Sequence, residues 1–438
     1  MRVALRCFVL ICVLLAAAAV QAAPKIERVI TPGGIEVWLV REPSIPMLAL
    51  QAAWRGGSSS EPDGQQGLAS LTAALLTEGA GDLGPDAFQD ALRERAISID
   101  FSTDRDYMTL GLRTLSEHRE RAFELLRLAM TAPRFEDEPI NRLKARARVS
   151  YERSRTNPNA LVGERFAELA YGDHPYGRRS SATAESLDRM GRDDFAAFAR
   201  KALARDNLVI GAVGDITAAE LARLVDLSFG ALPANAELPL PAKTTPRTSK
   251  APVVIQFPIP QSIVLFGAPG IEREDPDWYA ATVLNNALGG GSMSSRLFEE
   301  VREKRGLVYS IGTSLSPYKA AALFSGSLAT SNDQVGAAWD LVRAEFARVA
   351  REGLTAQELE DSKAYLTGSF PLRLSSNAGI ANMLVAIQIS GLGLDYIDRY
   401  PELIRNVTPE DVKRVAQRLL QRDDFLVVVV GQPAGLGG

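Results

Sequence analysis

The sequence predicts an α+β fold built from two homologous α/β halves, each a largely antiparallel sheet flanked by helices. First, a long-period repeat links the halves: LARDNLVIGAVGD at 203–215 is echoed by LQRDDFLVVVVGQ at 420–432, and both segments pass from a helix end into an apolar strand. Second, early neighbouring strands are followed in each half by helices and a closing strand. Third, the Pro-, Ala- and Thr-rich residues 231–250 lack periodicity and predict a linker.

Apolar runs predict three early strands in each half. In the N-terminal half, about 25–230, they are IEVWLV, LALQAAW and YMTLGLR; in the C-terminal half, about 251–432, they are VVIQF, SIVLFGAPG and AALFSGSLA. A helix precedes each closing strand, with Asp193 and Thr408 as predicted N-caps. Any α+β chain shows some such similarity, but the paired strand–Gly endings favour a true duplication.

Residues 1–22 have the features of a secretory signal peptide. Two arginines precede an apolar run from Cys7 to Val20 that ends in small residues, so we expect cleavage after Ala22 and a periplasmic protein. An uncleaved anchor is the alternative, although the run is short for a membrane span. Cys7 and Cys12 are the only cysteines, so cleavage would leave no thiol for a disulfide or a metal site.

The charge balance argues against a nucleic-acid partner. Lys and Arg number 49 against 53 Asp and Glu, a net charge of −4, and the chain contains no basic tract. No stretch after the signal segment is long and apolar enough to span a membrane. We therefore expect a mildly acidic protein without a membrane span.

Residues 64–79, GQQGLASLTAALLTEG, predict an amphipathic helix whose second face carries only small, unreactive side chains. Its leucines fall at helical spacing on one face. The other face carries small side chains that offer nothing to a metal, namely Ser70, Ala73 and Ala74.

Residues 289–313, GGGSMSSRLFEEVREKRGLVYSIGT, contain the candidate catalytic groups. The triple glycine permits positive φ and close approach of another backbone, and the serines at 292–295 can cap a helix that Gly306 can end. The next residues, LVYSI at 307–311, predict a strand. The helix is expected to bury the side chains of Leu297, Phe298 and Val301.

Arg302 and Tyr309 therefore lie seven residues apart across a helix-to-strand turn. A guanidinium and a phenol at one point can both donate hydrogen bonds to a developing oxyanion. From spacing alone, a surface Arg and a half-buried strand Tyr are the favoured interpretation.

The segment GGGSMSSRLFEEVREKRGLVYSIG resembles the C-terminal half of the pitrilysin, insulinase and mitochondrial-processing-peptidase family of zinc metallopeptidases. The similarity extends over most of the chain, including GGIEVWLVREPSIPMLALQAAWRGGSSSEPDGQQGLAS, HPYGRRS and DNLVIGAVGD. In that family an Arg and a Tyr seven residues later contact the scissile carbonyl. The resemblance therefore assigns catalytic roles to Arg302 and Tyr309, and we assign peptide binding to Gly289, Gly290, Gly291 and Ser292.

The family's zinc site is an inverted His-x-x-Glu-His motif, completed by a second Glu some seventy residues later. The corresponding motif positions here are Ser70, Ala73 and Ala74, so both His ligands and the general base are missing. Glu152 lies at the distance of the third ligand and is a possible relic, although an ion pair on the helix surface is the preferred interpretation. The only histidines, His118 and His174, are interpreted as a solvated and a locally hydrogen-bonded side chain.

The resemblance leaves three hypotheses. The first is a zinc-free subunit, with no cofactor of its own, that lends Arg302 and Tyr309 to a homologous zinc-binding partner and acts on peptides only as a heterodimer. The second is a catalytically inactive structural, peptide-binding or assembly subunit. The third, a self-sufficient zinc peptidase with unusual ligands, is the least favoured. Cleavage preference and partner identity are not encoded in any motif that we find.

Overall fold

The computed structural model describes residues 24–291 and 293–436, which form two sheets. The strands of the first sheet are β1 (Ile26–Ile30), β2 (Glu36–Arg41), β3 (Met47–Arg55), β4 (Ser98–Thr103), β5 (Tyr107–Leu115) and β6 (Leu208–Gly214). Those of the second are β7 (Val253–Gln256), β8 (Gln261–Pro269), β9 (Ser310–Pro317), β10 (Ala322–Ser331) and β11 (Leu426–Gly431). The six strand segments that the sequence predicts overlap β2, β3, β5, β7, β8 and β10.

The two sheets share one topology. Their strand orders are β1-β2-β6-β3-β5-β4 and β7-β11-β8-β10-β9, so the orders correspond once the extra edge strand β1 is set aside. Each sheet has one parallel pair, β2 with β6 and β7 with β11, and its other pairs are antiparallel. The closing strand of each half lies between two strands that come early in the sequence of that half. The predicted duplicated α+β fold is confirmed.

Helices flank both sheets. The first half contains α1 (Leu68–Leu75), α2 (Pro85–Arg93), α3 (Arg119–Thr131), α4 (Asp137–Ser154), α5 (Pro158–Tyr171), α6 (Ala184–Arg189), α7 (Arg192–Ala202) and α8 (Ala218–Phe229). The second half contains α9 (Trp278–Asn285), α10 (Val335–Glu352), α11 (Ala356–Ser369), α12 (Asn377–Ile389), α13 (Tyr396–Arg405) and α14 (Pro409–Leu420).

One of the two predicted N-caps is confirmed. The Thr408 hydroxyl accepts the Asp411 N–H at 3.1 Å and begins α14 with a capping box. The prediction for Asp193 is wrong, because α7 begins after Gly191 and the Asp194 carboxylate accepts the Gly191 N–H at 2.8 Å. Glycine has no side chain with which to cap the helix, so only the half of the capping box that Asp194 supplies is present.

The halves exchange helices. Helix α5 of the first half packs on β8 and β11, while α12 of the second half packs on β3 and β6. Glycine permits this close approach at both places. A Cβ at Gly211 in β6 would lie 2.7 Å from the Leu384 Cβ, and a Cβ at Gly267 in β8 would lie 2.6 Å from the Phe166 Cζ. One helix from each half therefore packs on the sheet of the other half.

The 231–250 segment has no helix or strand but is anchored by hydrogen bonds. The Thr244 N–H donates to the Ala320 carbonyl at 2.8 Å, and the Arg247 N–H donates to the Ala170 carbonyl at 2.7 Å. The segment thus contacts both halves along its course. The predicted signal peptide, residues 1–22, lies outside the described residues, and none of the helices described is long and apolar enough to cross a bilayer.

Candidate functional site

Helix α1 presents no metal ligand at the three positions that the resemblance assigns to zinc chemistry. The Ser70 hydroxyl donates to the Gly67 carbonyl at 3.0 Å, Ala73 is buried and Ala74 is half-buried. Methyl groups have no lone pair for a metal, and a serine hydroxyl bound to the backbone replaces an imidazole poorly. Across the described ranges, no group of three or more His, Cys, Asp or Glu side chains is arranged to hold a metal ion. These residues do not fit zinc.

The start of α1 is held by Glu61, a buried carboxylate that the sequence analysis did not single out. It accepts the Gly67 N–H at 3.1 Å and the Ala69 N–H at 2.8 Å, so it satisfies amides at the helix N-terminus. Burial raises the pKa of Glu61 to about 8, against the lowering effect of these two hydrogen bonds. Gly67 has φ of +88°, and a Cβ there would lie 2.6 Å from the Ala182 Cβ. The sequence feature that could have indicated this role is a Glu placed shortly before the Gly-rich turn at 64–67.

Glu152 does not lie in a metal-binding cluster. It occupies the exposed face of α4 and pairs with Arg155 at 3.3 Å, an ion pair of the kind that helical spacing favours. His118 is half-buried rather than fully solvated, and its Nε2 lies 3.8 Å from the Glu117 carboxylate. The His174 Nδ1 accepts the Tyr176 N–H at 3.1 Å and its Nε2 donates to the Ala242 carbonyl at 2.8 Å, the local hydrogen bonding that the sequence predicts.

The glycine segment continues helix α9 rather than forming a loop with positive φ. Residues Asn286–Gly290 are π-helical, and none of the three glycines has a positive φ, so that expectation is wrong. The predicted close approach is present: a Cβ at Gly289 would lie 2.9 Å from the Thr313 Oγ1 and 3.1 Å from the Thr313 N in β9. Ser292 lies outside the described residues.

The helix that follows is π-helical at Phe298–Glu303, and its apolar face is buried as predicted. Gly306, with φ of +62°, ends it, and the Leu307 N–H donates back to the Val301 carbonyl at 3.0 Å. The predicted strand begins late, because 307–309 cross from this turn to the sheet and pairing with β10 starts at Ser310. π-Helical turns are frequent at functional sites.

Arg302 and Tyr309 flank this turn with their side chains exposed. The Arg302 guanidinium lies over the Phe298 ring at 4.6 Å and has no carboxylate within ion-pair distance among the described residues. Tyr309 is 56 % exposed, and its N–H donates to the Ala329 carbonyl at 2.8 Å. Within the described residues, no hydrogen bond occupies its hydroxyl and no ring contact joins it to Arg302. Both donors are therefore available to an external acceptor.

A network of ion pairs fixes the segment that carries these donors. Arg296, 8 % exposed, forms a bidentate pair with Glu358 at 2.7 and 2.5 Å and lies 3.7 Å from Glu345. Glu300 binds Lys304 at 2.8 Å and Arg305 at 2.7 Å, and these hydrogen bonds lower the pKa of Glu300 to about 2. The charged helix was visible in the sequence, but its long-range partners were not.

The HPYGRR stretch at 174–179 forms hydrogen bonds to other parts of the first half and to the second half. The Arg178 Nη1 donates to the Glu61 carbonyl at 3.0 Å, and the Arg179 Nη1 binds Glu164 at 2.7 Å. The Tyr176 hydroxyl donates to Asp106 and accepts the Ala320 N–H at 2.9 Å. The stretch therefore ties the start of α1 and the second half together.

Two family models match the chain. Insulinase (Peptidase family M16) matches residues 43–184, and Peptidase M16 inactive domain matches residues 189–366.

Relatives match over nearly the full length. A crystal structure of a peptidase M16 inactive domain from Pseudomonas fluorescens is 30% identical with a TM-score of 0.86, covering 94% of this chain and 99% of its own. The Non-peptidase homolog YmxG of Helicobacter pylori is 25% identical, covering 94% of this chain and 95% of its own length. An uncharacterized zinc protease of Streptomyces coelicolor is 28% identical, covering 92% of this chain and 89% of its own length.

Proposed function

The chain belongs to the M16 (insulinase) peptidase family, and we propose that it is the zinc-free subunit of a heteromeric metallopeptidase. It is a homologue of inactive M16 proteins, as the names of its relatives from Pseudomonas fluorescens and Helicobacter pylori indicate. The side chains at 70, 73 and 74 agree with a role that does not require zinc in this chain.

The observation that carries the proposal is the contrast between the halves. In the first half, Ser70, Ala73 and Ala74 cannot supply the zinc chemistry. In the second half, Arg302 and Tyr309 are present, exposed, and free of internal hydrogen-bond or carboxylate partners within the described part of the chain.

The chemistry of this chain's own residues would be the stabilisation of negative charge. The guanidinium of Arg302 is a permanently charged donor, and the phenol of Tyr309 is a neutral one. Donors that are held in place before the reaction stabilise a developing oxyanion without reorganising. The ion pairs of Arg296 and Glu300 hold the backbone from which Arg302 projects.

The glycine segment would contact the peptide. Gly289, Gly290 and Gly291 present backbone without side chains, and Gly289 lies against Thr313 of β9, the edge strand of the second sheet. Ser292 completes the proposed peptide-binding set. The partner would be a homologous subunit carrying His-x-x-Glu-His, which would bring the zinc, and the complex would act in the periplasm.

The proposal is tested by co-expressing the chain with an adjacent gene product that contains His-x-x-Glu-His. Co-purification and hydrolysis of a quenched fluorescent peptide are measured for the chain, the partner and the mixture. We expect activity in the mixture far above the sum of the separate proteins. A stable complex whose activity equals that of the partner by itself would instead support the inactive structural or peptide-binding subunit.

A further inference from the structure

A cavity of about 630 Å³ lies between the two halves, and no residue of the Arg302 turn lines it. Its walls are the β4–β5 turn with the first residue of β5 at 104–107, the end of β9 with the β9–β10 turn at 315–319, the loop at 272–274, Lys243, and the C-terminal end of α12 at 389–390. The two turns are equivalent in the duplicated topology. The cavity therefore lies where corresponding hairpins of the two halves meet.

Hydrogen bonds fix the hairpins against each other. The Tyr176 hydroxyl donates to Asp106 and accepts the Ala320 N–H at 2.9 Å, while the other Asp106 oxygen accepts the Lys319 N–H at 3.0 Å. Each partner in this set is satisfied by a group from across the junction. The walls are thus formed before any ligand arrives, as in most small-molecule sites.

Most charges that line the cavity already have partners. Lys243 pairs with Glu272 at 2.9 Å. The Lys319 ammonium donates to the Ile389 carbonyl at 2.8 Å and lies 3.8 Å from Glu274. One Asp104 oxygen accepts two backbone N–H groups, each at 2.7 Å. These groups need no ligand to satisfy them.

Arg105 and Arg273 differ from the other charged residues that line the cavity. The Arg105 guanidinium lies 4.9 Å from the Tyr176 ring and 5.1 Å from the Tyr318 ring, and it spends one donor on the Tyr176 carbonyl at 2.6 Å. The Arg273 guanidinium lies 4.9 Å from the Trp278 ring and 5.5 Å from the Tyr279 ring, and it spends one donor on the Tyr396 hydroxyl at 3.1 Å. Neither has a carboxylate within 4.0 Å in the described residues, although each guanidinium offers five N–H donors.

We propose that this cavity binds the carboxylate of a short apolar peptide, with Arg105 and Arg273 as the anion-binding residues. Rings that lie against a guanidinium leave its N–H edge accessible, and each of these two guanidinium groups spends one of its five donors on an internal acceptor, so four remain for the parallel hydrogen bonds that a carboxylate accepts. Leu315, Pro317 and Ile389 add an apolar wall. The volume lies within the range of about 300–1,000 Å³ that is typical of ligand sites.

The charge of the lining selects among anions. Four acidic residues stand beside four basic ones, so the lining has no net positive charge that would favour a dianion such as phosphate over a monoanionic carboxylate. The acidic residues are Asp104, Asp106, Glu272 and Glu274, and the basic ones are Arg105, Lys243, Arg273 and Lys319. A peptide chain terminus and a Glu side chain offer the same carboxylate.

The test uses the isolated chain and therefore does not depend on the proposed partner. Calorimetric titration compares acetyl-Ala-Leu-Ala as the free acid, the same peptide as its amide, acetyl-Ala-Glu-Ala amide, and inorganic phosphate. We expect the free acid to bind below about 1 mM, with the amide and phosphate at least about tenfold weaker. Binding of the Glu-containing amide would extend the site to side-chain carboxylates, and its failure would restrict the site to chain termini.

Variants locate the site. Arg105→Lys and Arg273→Lys keep the charge but lose the planar fork, so each should weaken the free acid about tenfold. Lys250→Gln, which removes an exposed lysine paired with Asp423 outside the cavity, should bind like the parent. Equal binding of acid and amide, tight phosphate binding, no binding at about 1 mM, or unchanged binding in both folded Arg variants would overturn the proposal. Because the acid–amide comparison uses the parent chain, the test survives a variant that fails to fold.

Discussion

The Arg296 guanidinium and the Glu358 carboxylate form a bidentate ion pair at 2.7 and 2.5 Å in the interior of the second half. Arg296 stands before the helical segment that carries Arg302, and Glu358 lies in the first turn of α11, where it also accepts the Thr355 N–H at 2.8 Å. One carboxylate thus caps a helix and positions the candidate catalytic segment.

Glu358→Gln should destabilise the chain by about 3 kcal/mol, because it leaves the buried Arg296 with only Glu345 at 3.7 Å. The urea midpoint measures the change. Lys250→Gln breaks an ion pair that is solvent-exposed and should leave the midpoint unchanged. Equal midpoints for the Glu358 variant and the parent would show that the pair does not stabilise the fold.

Glu61 should make stability fall as pH rises. Its pKa is about 8 in the folded chain and near the ordinary value of about 4.5 when unfolded, so between these values only the folded state holds the proton. The free energy of unfolding should therefore decrease by up to about 1.4 kcal/mol per pH unit from this group. Urea unfolding at several pH values should show that Glu61→Gln loses this slope. Glu360→Gln, at an exposed glutamate of α11, should retain it.

Alanine substitutions at two glycines should change stability in opposite directions, because one glycine lies under the exchanged helix α12 and the other is open to solvent. Gly211→Ala would place a Cβ 2.8 Å from the Ala381 carbonyl and should cost about 2 kcal/mol, because backbone cannot yield as a flexible side chain does. Gly368→Ala, in α11 with nothing within 4 Å, should stabilise by about 1 kcal/mol. Thermal or urea unfolding checks both. A neutral Gly211→Ala would mean that α12 is not seated on β6 as closely as described.

The duplication was predictable because apolar strands and their glycine endings recur in one dimension. Gly306 was predictable for a similar reason, since a glycine after a helical run commonly takes the left-handed conformation that ends it, and here φ is +62°. The prediction of a loop at the triple glycine is wrong because glycine tolerates a positive φ without requiring it. The tight packing of the triple glycine against Thr313 depends on β9, which no local pattern reveals.

The scaffold of the candidate site could not be predicted. Arg296 and Glu358 are 62 residues apart, and Arg-rich helices usually carry solvated charges. The role of Glu61 was easier to predict, because its carboxylate oxygens accept backbone N–H groups only six and eight residues later in the sequence. That signal was overlooked because the expected chemistry of α1 lay at its missing ligands.

The most direct test of the central claim is the kcat of the reconstituted pair with Tyr309→Phe in this chain. Loss of a donor to a developing oxyanion predicts a fall in kcat of about 10²-fold, with KM nearly unchanged and the complex intact. Tyr365→Phe, which alters another half-exposed tyrosine on α11, is the matched control and should retain full activity. Full activity of the Tyr309→Phe pair would contradict the shared-site account.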